Sequence, residues 1–190
     1  MDPGLRRDDI VVWFGIMPPM TPPLFIITGA MAAGKSTIAE ALAKRLPKSV
    51  HLRGDVFRKM IVNGAAEMGP VLDDEARRQL DLRQLLATDA ARAYHAAGFA
   101  VVYQDILIGR DLVAAAERLA DLVPQVVVLA PSVATLTRRD RTRAKTGYGE
   151  NFPPGILAEA LARETPRLGL WIDSSDMSVE AVVDTILGQN

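Results

Sequence analysis

The stretch Gly29-Ala30-Met31-Ala32-Ala33-Gly34-Lys35-Ser36-Thr37 has the spacing G-x-x-x-x-G-K-S-T, which is typical of a phosphate-binding loop between a strand and a helix. Its flanks agree with that placement. Residues 24–28 form a short apolar, β-branched run, and apolar residues recur at helical spacing over residues 38–46 until Pro47 stops the pattern. The glycines let successive backbone N–H groups point at one anion, and the helix adds the positive end of its dipole. The stretch therefore predicts a nucleoside triphosphate site.

Each part of this loop has an expected contact. All nine residues 29–37 are predicted to contact the nucleotide. We expect Lys35 to reach the β- and γ-phosphates and the Ser36 hydroxyl to bind Mg²⁺. ATP with Mg²⁺ is the predicted cofactor pair, and the preference between ATP and GTP is left open. The chain has no guanine-specifying Asn-Lys-x-Asp stretch, which argues against a nucleotide-gated regulator.

The composition is that of an ordinary globular protein, with 49% hydrophobic and 24% charged residues in a chain of 190. A formal net charge of −1 argues against a general nucleic-acid or membrane-surface binder. The lack of cysteine excludes disulfides, zinc thiolate sites and thiol catalysis, and two histidines are too few for a histidine-rich metal site. No apolar run approaches the roughly 20 residues of a membrane span. We therefore expect a cytoplasmic protein with a small-molecule partner and no membrane partner; the oligomeric state is left open.

The first 23 residues are expected to form a loosely ordered tail, with Met17 or Met20 as alternative starts. An apolar run over residues 10–17 follows two arginines, as in a signal peptide, but Asp8-Asp9 and the short run argue against one. Four prolines between positions 18 and 23 favour an extended lead-in. Residues 24–190 are the predicted domain.

The rest of the chain alternates strands and helices. Further strands are predicted at residues 49–53, 99–103, 125–129 and 169–173. Such alternation predicts an α/β fold with a three-layer, doubly wound, parallel sheet of five strands, in which ligands bind at the carboxyl ends of the strands.

Two of the predicted helices bear on the site. One covers residues 56–62, with Asp55 as its N-cap and Asn63-Gly64 at its end. The other runs from Asp73 to about Ala97, with its apolar stripe formed by Leu82, Leu85, Leu86, Ala90, Ala93 and Tyr94. His95 on this helix is expected at the surface.

Asp55 and Arg58 follow the second predicted strand and lie three residues apart on one helix face. Phosphoryl transfer to an alcohol needs a carboxylate that orients, and can deprotonate, the attacking hydroxyl. Asp55 is the candidate for that role, or a plain helix cap. Arg58 is a candidate acceptor-binding cation, whereas Arg53 and Lys59 are expected to be solvated.

Asp105 ends the third predicted strand. Its carboxylate is a candidate for holding Mg²⁺ through water and for lining the substrate site, or it caps the next turn. Gln104 is a weaker candidate at the same edge.

Residues 138–145 carry five positive charges and one negative charge. Charge runs are usually solvated helix faces. Arg139 and Arg143, however, have the i, i+4 spacing that could clamp one polyphosphate, and they are the predicted catalytic cations. We expect a lid over ATP at about residues 138–153, in which Tyr148 either stacks on a ligand or lies in a surface turn. Four other arginines are interpreted as mostly solvated, although one of them could line the acceptor pocket. These are Arg77, Arg78, Arg83 and Arg92.

With these residues in place, the chain resembles P-loop phosphotransferases of the chloramphenicol phosphotransferase-like group. It is similar, more distantly, to shikimate and gluconate kinases and to polynucleotide 5′-kinase. The resemblance covers about residues 23–188 and depends on four segments: Gly29–Thr37, Arg53–Arg58, Asp105–Gly109 and the pair Arg139 and Arg143.

The resemblance implies the P-loop containing nucleoside triphosphate hydrolase/kinase fold with strand order 2-3-1-4-5. It implies that Asp55 acts as the base towards the acceptor hydroxyl and that the two arginines belong to the lid. Two departures leave the acceptor open: residues 60–90 do not match the antibiotic enzyme closely, and the DxD pair of shikimate kinases is absent.

Three functions are consistent with this pattern. The first is an ATP- and Mg²⁺-dependent kinase acting on a hydroxyl of a small molecule such as an antibiotic, sugar or nucleoside. The second is a polynucleotide 5′-hydroxyl kinase, which the Asp55-x-x-Arg58 spacing favours and the near-neutral charge disfavours. The third is a non-catalytic ATP-binding regulator.

Overall fold

The computed structural model describes residues 21–69, 71–142, 148 and 152–188. Its elements follow the alternation expected from the sequence. The strands are β1 (Leu24–Gly29), β2 (Ser49–Arg53), β3 (Ala100–Gln104), β4 (Gln125–Leu129) and β5 (Leu170–Ile172). The helices are α1 (Lys35–Arg45), α2 (Asp55–Lys59), α3 (Asp74–Ala96), α4 (Arg110–Arg118), α5 (Val133–Arg141), α6 (Pro154–Glu164) and α7 (Val179–Leu187), with a 3₁₀ turn at Ala120–Leu122.

The five strands form one parallel sheet in the order β2-β3-β1-β4-β5. The strand order and the α/β class are therefore confirmed. β1 lies at the centre, where Ile27 is in register with Gln104 of β3 on one side and with Val127 of β4 on the other. The loop that follows β1 consequently emerges in the middle of the carboxyl edge of the sheet, where a doubly wound fold binds its ligand.

Alternate side chains of β1 enter two separate cores, which makes the fold three-layered. Phe25 and Ile27 belong to the core that includes α1 and α7. Leu24 and Ile26 belong to the core that includes α3 and α4. Because both faces of the sheet are covered, the strand is apolar on successive residues and does not alternate with polar ones.

Thr28, the buried residue just before the loop, joins β1 to the segment that follows β3. Its hydroxyl donates to the carbonyl of Leu107 at 2.8 Å and accepts from the N–H of the same residue at 2.9 Å. One hydroxyl thus satisfies both backbone groups of a buried residue.

Two helix predictions need correction. α2 ends at Lys59, well before Asn63, and its N-cap is Gly54, so Asp55 is the first helical residue. The predicted apolar stripe of α3 is not its buried face: Leu82, Leu85, Leu86 and Tyr94 are 40–49% exposed.

The buried face of α3 is formed by small and polar residues, namely Ala76, Gln84, Ala87, Thr88, Ala91 and His95. Small side chains let the helix axis approach the sheet closely, and the leucines are then directed outwards. The surface prediction for His95 is wrong, because its ring is buried and Nε2 lies 2.8 Å from the carbonyl oxygen of Pro22.

Within the described ranges, no helix combines the length and apolar character needed to cross a bilayer.

Candidate functional site

The loop after β1 has the backbone shape of an anion cradle. Ala32 and Gly34 have positive φ angles of 62° and 98°. Gly29 has φ 150°, and a Cβ atom there would lie 2.4 Å from the carbonyl oxygen of Leu129. No side chain caps the N-terminus of α1, whose N-cap is Gly34 itself. The first-turn N–H groups of α1 are therefore available to a phosphate.

Lys35 and Ser36 lie at the start of α1, where the sequence predicts phosphate and metal contacts. The Lys35 ammonium donates to the carbonyl oxygens of Gly29 at 3.0 Å and Ala30 at 2.8 Å. Ser36 is exposed on the first turn of α1. No cluster of three or more His, Cys, Asp or Glu side chains in the described part of the chain could hold a metal ion. The Ser36 hydroxyl as a protein oxygen suits Mg²⁺, because this ion is usually held by one or two protein oxygens together with nucleotide phosphates and water.

Arg139 of α5 lies directly against the loop. Its guanidinium donates to the carbonyl oxygen of Ala33 at 3.1 Å and to that of Ser174 at 2.7 Å. Burial lowers the pKa of Arg139, and the like charge of Arg138 lowers it further. The side chain remains a cation at neutral pH, because a guanidinium keeps its proton far into the basic range.

Tyr148 contacts the same loop from the predicted lid, since its hydroxyl donates to the Met31 carbonyl oxygen at 2.8 Å. Arg143 and half of the predicted lid lie outside the described residues. The clamp by two arginines therefore stays a prediction.

Asp55 lines the same cavity as the phosphate loop. This cavity has a volume of about 790 Å³. Lys59 donates to Asp55 Oδ2 at 2.5 Å, and Arg53 Nε lies 3.4 Å from Oδ1. Burial raises the pKa of the Asp55 carboxyl, but the hydrogen bond from Lys59 and the charges of Arg53, Lys59 and Arg83 outweigh it and lower the pKa below its usual value. Asp55 is thus ionised at neutral pH.

Asp105, at the end of β3, forms a buried ion pair that the sequence does not reveal. Arg83 of α3 donates to Asp105 through Nε, 2.9 Å from Oδ2, and through Nη2 to Oδ1. The Arg83 and Asp105 side chains are 12% and 2% exposed. Arg83 is therefore not solvated, and of the four arginines it is the one that lines the cavity. Asp105 Oδ1 also accepts from the N–H of Ile106. The expected metal role of Asp105 remains a prediction.

Gly54 allows β2 and β3 to end side by side. Its N–H donates to the carbonyl oxygen of Gln104 at 3.0 Å, and a Cβ atom at Gly54 would lie 2.0 Å from Asp105 Oδ2. The carboxylate of Asp105 therefore fits only because residue 54 has no side chain.

Arg58 also lines the cavity and supports the loop between α2 and α3. Its Nη2 donates to the carbonyl oxygen of Ala66 at 3.0 Å. Gln79 holds the same loop, accepting from the Ala66 N–H at 2.8 Å and donating to the Gly64 carbonyl oxygen at 2.7 Å.

The structure thus brings Lys35, Ser36, Asp55, Arg58, Asp105 and Arg139 to one cavity, together with Arg83. Sequence patterns did not separate Arg83 from the three other arginines of α3. The one available signal is its spacing of four residues from Gln79, which places both side chains on the same side of the helix.

A family model described as an AAA domain matches residues 24–166. No curated protein is significantly similar in sequence to the chain.

Among solved structures, the tunicamycin resistance protein of Deinococcus radiodurans is 16% identical over 88% of this chain and 95% of its own, with a TM-score of 0.64. Shikimate kinase of Bacteroides thetaiotaomicron is 16% identical over 87% and 97%, with a TM-score of 0.63. A gluconokinase of Sinorhizobium meliloti is 20% identical over 89% and 91%, with a TM-score of 0.58. At these identities the likeness is one of fold, and it confirms the P-loop kinase-like architecture.

Proposed function

The chain belongs to the AAA domain family, and from that premise we propose that it is a kinase that transfers the γ-phosphate of ATP to a hydroxyl of a small molecule. One observation carries the proposal: an ionised carboxylate, Asp55, and a phosphate-binding loop line the same cavity. The fold that the chain shares with proteins named as kinases supports the same chemistry by analogy.

Asp55 would orient the acceptor hydroxyl towards the γ-phosphate and accept its proton. A carboxylate within hydrogen-bond reach of the attacking group typically contributes a factor of about 10²–10⁴ to the rate. Lys59 and Arg53 keep this carboxylate ionised and fix its direction.

Lys35 and Arg139 would stabilise the negative charge on the transferring phosphoryl group. Both already lie at the loop, donating to the carbonyl oxygens of Gly29, Ala30 and Ala33. Such preorganised donors lower the barrier because they need little rearrangement during the reaction. Bound Mg²⁺ would neutralise phosphate charge, with the Ser36 hydroxyl as a direct ligand.

Asp105 would act on this metal only through water, because both of its oxygens already accept from Arg83. We further propose that residues 138–153 close over the nucleotide, with Arg143 joining Arg139 and with Tyr148 against the loop. Closure would exclude water and so suppress ATP hydrolysis.

The experiment compares variants in two separate assays. Transfer is measured with labelled ATP on a panel of alcohols, and nucleotide affinity is measured with a non-hydrolysable ATP analogue. Asp55→Asn should reduce transfer by at least about 100-fold and leave analogue affinity nearly unchanged. Lys35→Ala should weaken both, and Asp121→Asn, in an exposed pair with Arg92, should affect neither.

Near-normal turnover of Asp55→Asn would show that Asp55 is not the base. Transfer to a 5′-hydroxyl oligonucleotide in preference to every small alcohol would replace the proposal with a polynucleotide kinase.

A further inference from the structure

The outward face of α3 has large apolar side chains at its middle. Leu82 and Leu85 are 49% and 43% exposed, and Leu86 beside them is 40% exposed. The opposite face of this 23-residue helix is already buried against the rest of the domain. A cluster of exposed leucines on a helix is typical of a surface that another molecule covers.

The leucines belong to a stripe that has the spacing of a coiled coil. Steps of three and four residues alternate along it, as in the seam where two helices pair. We call this stripe the outer seam of α3, and its members are Glu75, Arg78, Leu82, Leu85, Asp89 and Arg92. All of them are exposed except Arg92, which is half-buried, so a second helix could reach the seam as the described residues leave it.

The outer seam is complementary to itself when two copies of the helix run antiparallel. A two-fold axis midway between Leu82 and Leu85 sets each of these leucines opposite the other one in the partner. Arg78 then faces the partner's Asp89, because each lies four residues from the nearer leucine. By symmetry, each of these contacts is made twice. A parallel pair would instead oppose each charge to its own kind, which is unfavourable.

The charges of the outer seam are available for these contacts. Asp89 makes no hydrogen bond or ion pair within the described ranges. Arg78 contacts Glu75 at 2.7 Å, but an exposed pair of this kind stabilises a protein little in water, so Arg78 can turn to a partner's carboxylate. The next layer, Glu75 opposite the partner's Arg92, contributes less, because Arg92 is held by Asp121 at 2.6 Å.

We propose that α3 is the contact surface of a homodimer in which the outer seams of two copies pair antiparallel. One pair of helices is a small interface compared with the roughly 1,200–2,000 Å² buried in stable complexes. The dimer is therefore weak, and dilute protein, as used in denaturation experiments, is monomeric. The proposal does not depend on the proposed kinase activity, since no residue of the outer seam lines the cavity.

Sedimentation equilibrium of the full chain, at about 1 to 500 µM, measures the dissociation constant of the dimer. Leu85→Gln should weaken association at least about tenfold, because it places a polar group at the centre of the interface. Asp89→Arg should weaken it by a similar factor, since it opposes two cations at two symmetric places. Combining Asp89→Arg with Arg78→Asp should restore association to within about threefold of wild type. Glu159→Arg, the same kind of change on the exposed side of α6, should have no effect.

Disulfide cross-linking tests the register, because the natural chain contains no cysteine. Differently tagged Arg78→Cys and Asp89→Cys chains are mixed and oxidised. The mixture should give a cross-link between the two kinds of chain, because the proposed axis sets these positions opposite each other. Either variant alone should cross-link poorly, since its two copies of the cysteine would lie eleven residues, or about 16 Å, apart along the helix pair.

A chain that stays monomeric over the whole concentration range would overturn the proposal, and the leucines would then be bare or covered by the N-terminal segment of the same chain. Unchanged association of Leu85→Gln would also overturn it, as would equal losses in Asp89→Arg and Glu159→Arg. Failure of the double charge reversal to restore association would show that Arg78 and Asp89 do not meet. Cross-linking of each cysteine variant with itself as readily as with the other would refute the antiparallel pairing.

Discussion

Replacement of Gly54 by alanine tests how tightly the acceptor side of the cavity is assembled. The backbone at Gly54 has φ −62° and ψ −30°, which any L-residue adopts without strain. The substitution therefore acts only through its new methyl group, which would lie 2.0 Å from Oδ2 and 2.6 Å from Cγ of Asp105. These atoms cannot overlap, so Asp105 has to move.

The expected cost follows from what Asp105 is bonded to. Overpacking of a filled site by one methyl group costs about 1–3 kcal/mol. Displacement of Asp105 also strains its pair with Arg83, and loss of one partner from a buried pair costs about 3–5 kcal/mol. Because the pair is weakened and not abolished, we expect the free energy of unfolding to fall by about 2–5 kcal/mol. That is a large share of the roughly 5–15 kcal/mol typical of a domain.

Urea denaturation followed by circular dichroism measures this change. Gly155→Ala is the matched control, because a Cβ atom there meets nothing within 4 Å and Gly155 lies in the first turn of α6. It should be neutral or stabilising by up to about 1 kcal/mol. In an Asp105→Ala background the added cost of Gly54→Ala should fall below about 1 kcal/mol, since the nearest remaining atom is Cβ at 3.1 Å. Equal stability of the two glycine variants would refute the reasoning.

Two further predictions concern charge and packing. Lys59→Met should raise the pKa of Asp55, because burial then opposes ionisation with less compensation. The acid limb of the pH profile of kcat/KM should therefore move to higher pH in this variant, whereas Lys44→Met, which changes an exposed pair with Glu40, should leave it in place. On α3, Leu85→Gln should change the free energy of unfolding by less than about 0.5 kcal/mol, and Ala91→Leu should destabilise by about 1–3 kcal/mol. A large loss in the leucine variant during urea denaturation would mean that the exposed face of α3 is covered in solution.

Local signals were sufficient for most of the fold. The strands at residues 49–53 and 125–129 have the predicted bounds, because Gly54 ends the first apolar run and Pro131 ends the second. The loop after β1 is predictable from its spacing alone, since its backbone conformation needs those glycines. The order of the strands required the resemblance to known kinases, because pairing is decided between distant segments.

The buried face of α3 shows where local signals fail. Hydrophobicity favours the leucine side, whereas the sheet selects the side on which Ala87 and Ala91 permit close approach. The burial of His95 also depends on a distant segment, because its ring nitrogen lies within hydrogen-bond distance of the carbonyl oxygen of Pro22. The sequence pattern of one helix predicts neither its close approach to the sheet nor the contact of His95 with Pro22.

The sequence predicts the site only in part, because some of its features are local and others join distant segments. The spacing of Asp55 and Arg58 is local and indicates a shared helix face. The partners of these residues are not local: the pair of Arg83 with Asp105 joins α3 to β3, and the support of Arg58 comes from Ala66. The partner of each arginine is decided only when the helices and strands pack together.

The double hydrogen bond of Thr28 restricts how the molecule can move. It ties the residue before the phosphate loop to Leu107, two positions beyond Asp105, at a place with no solvent access. These two hydrogen bonds hold the central strand and the segment after β3 together. If the proposed transfer includes closure, we expect the movement in the elements on either side of the cavity, α2 with its following loop and α5.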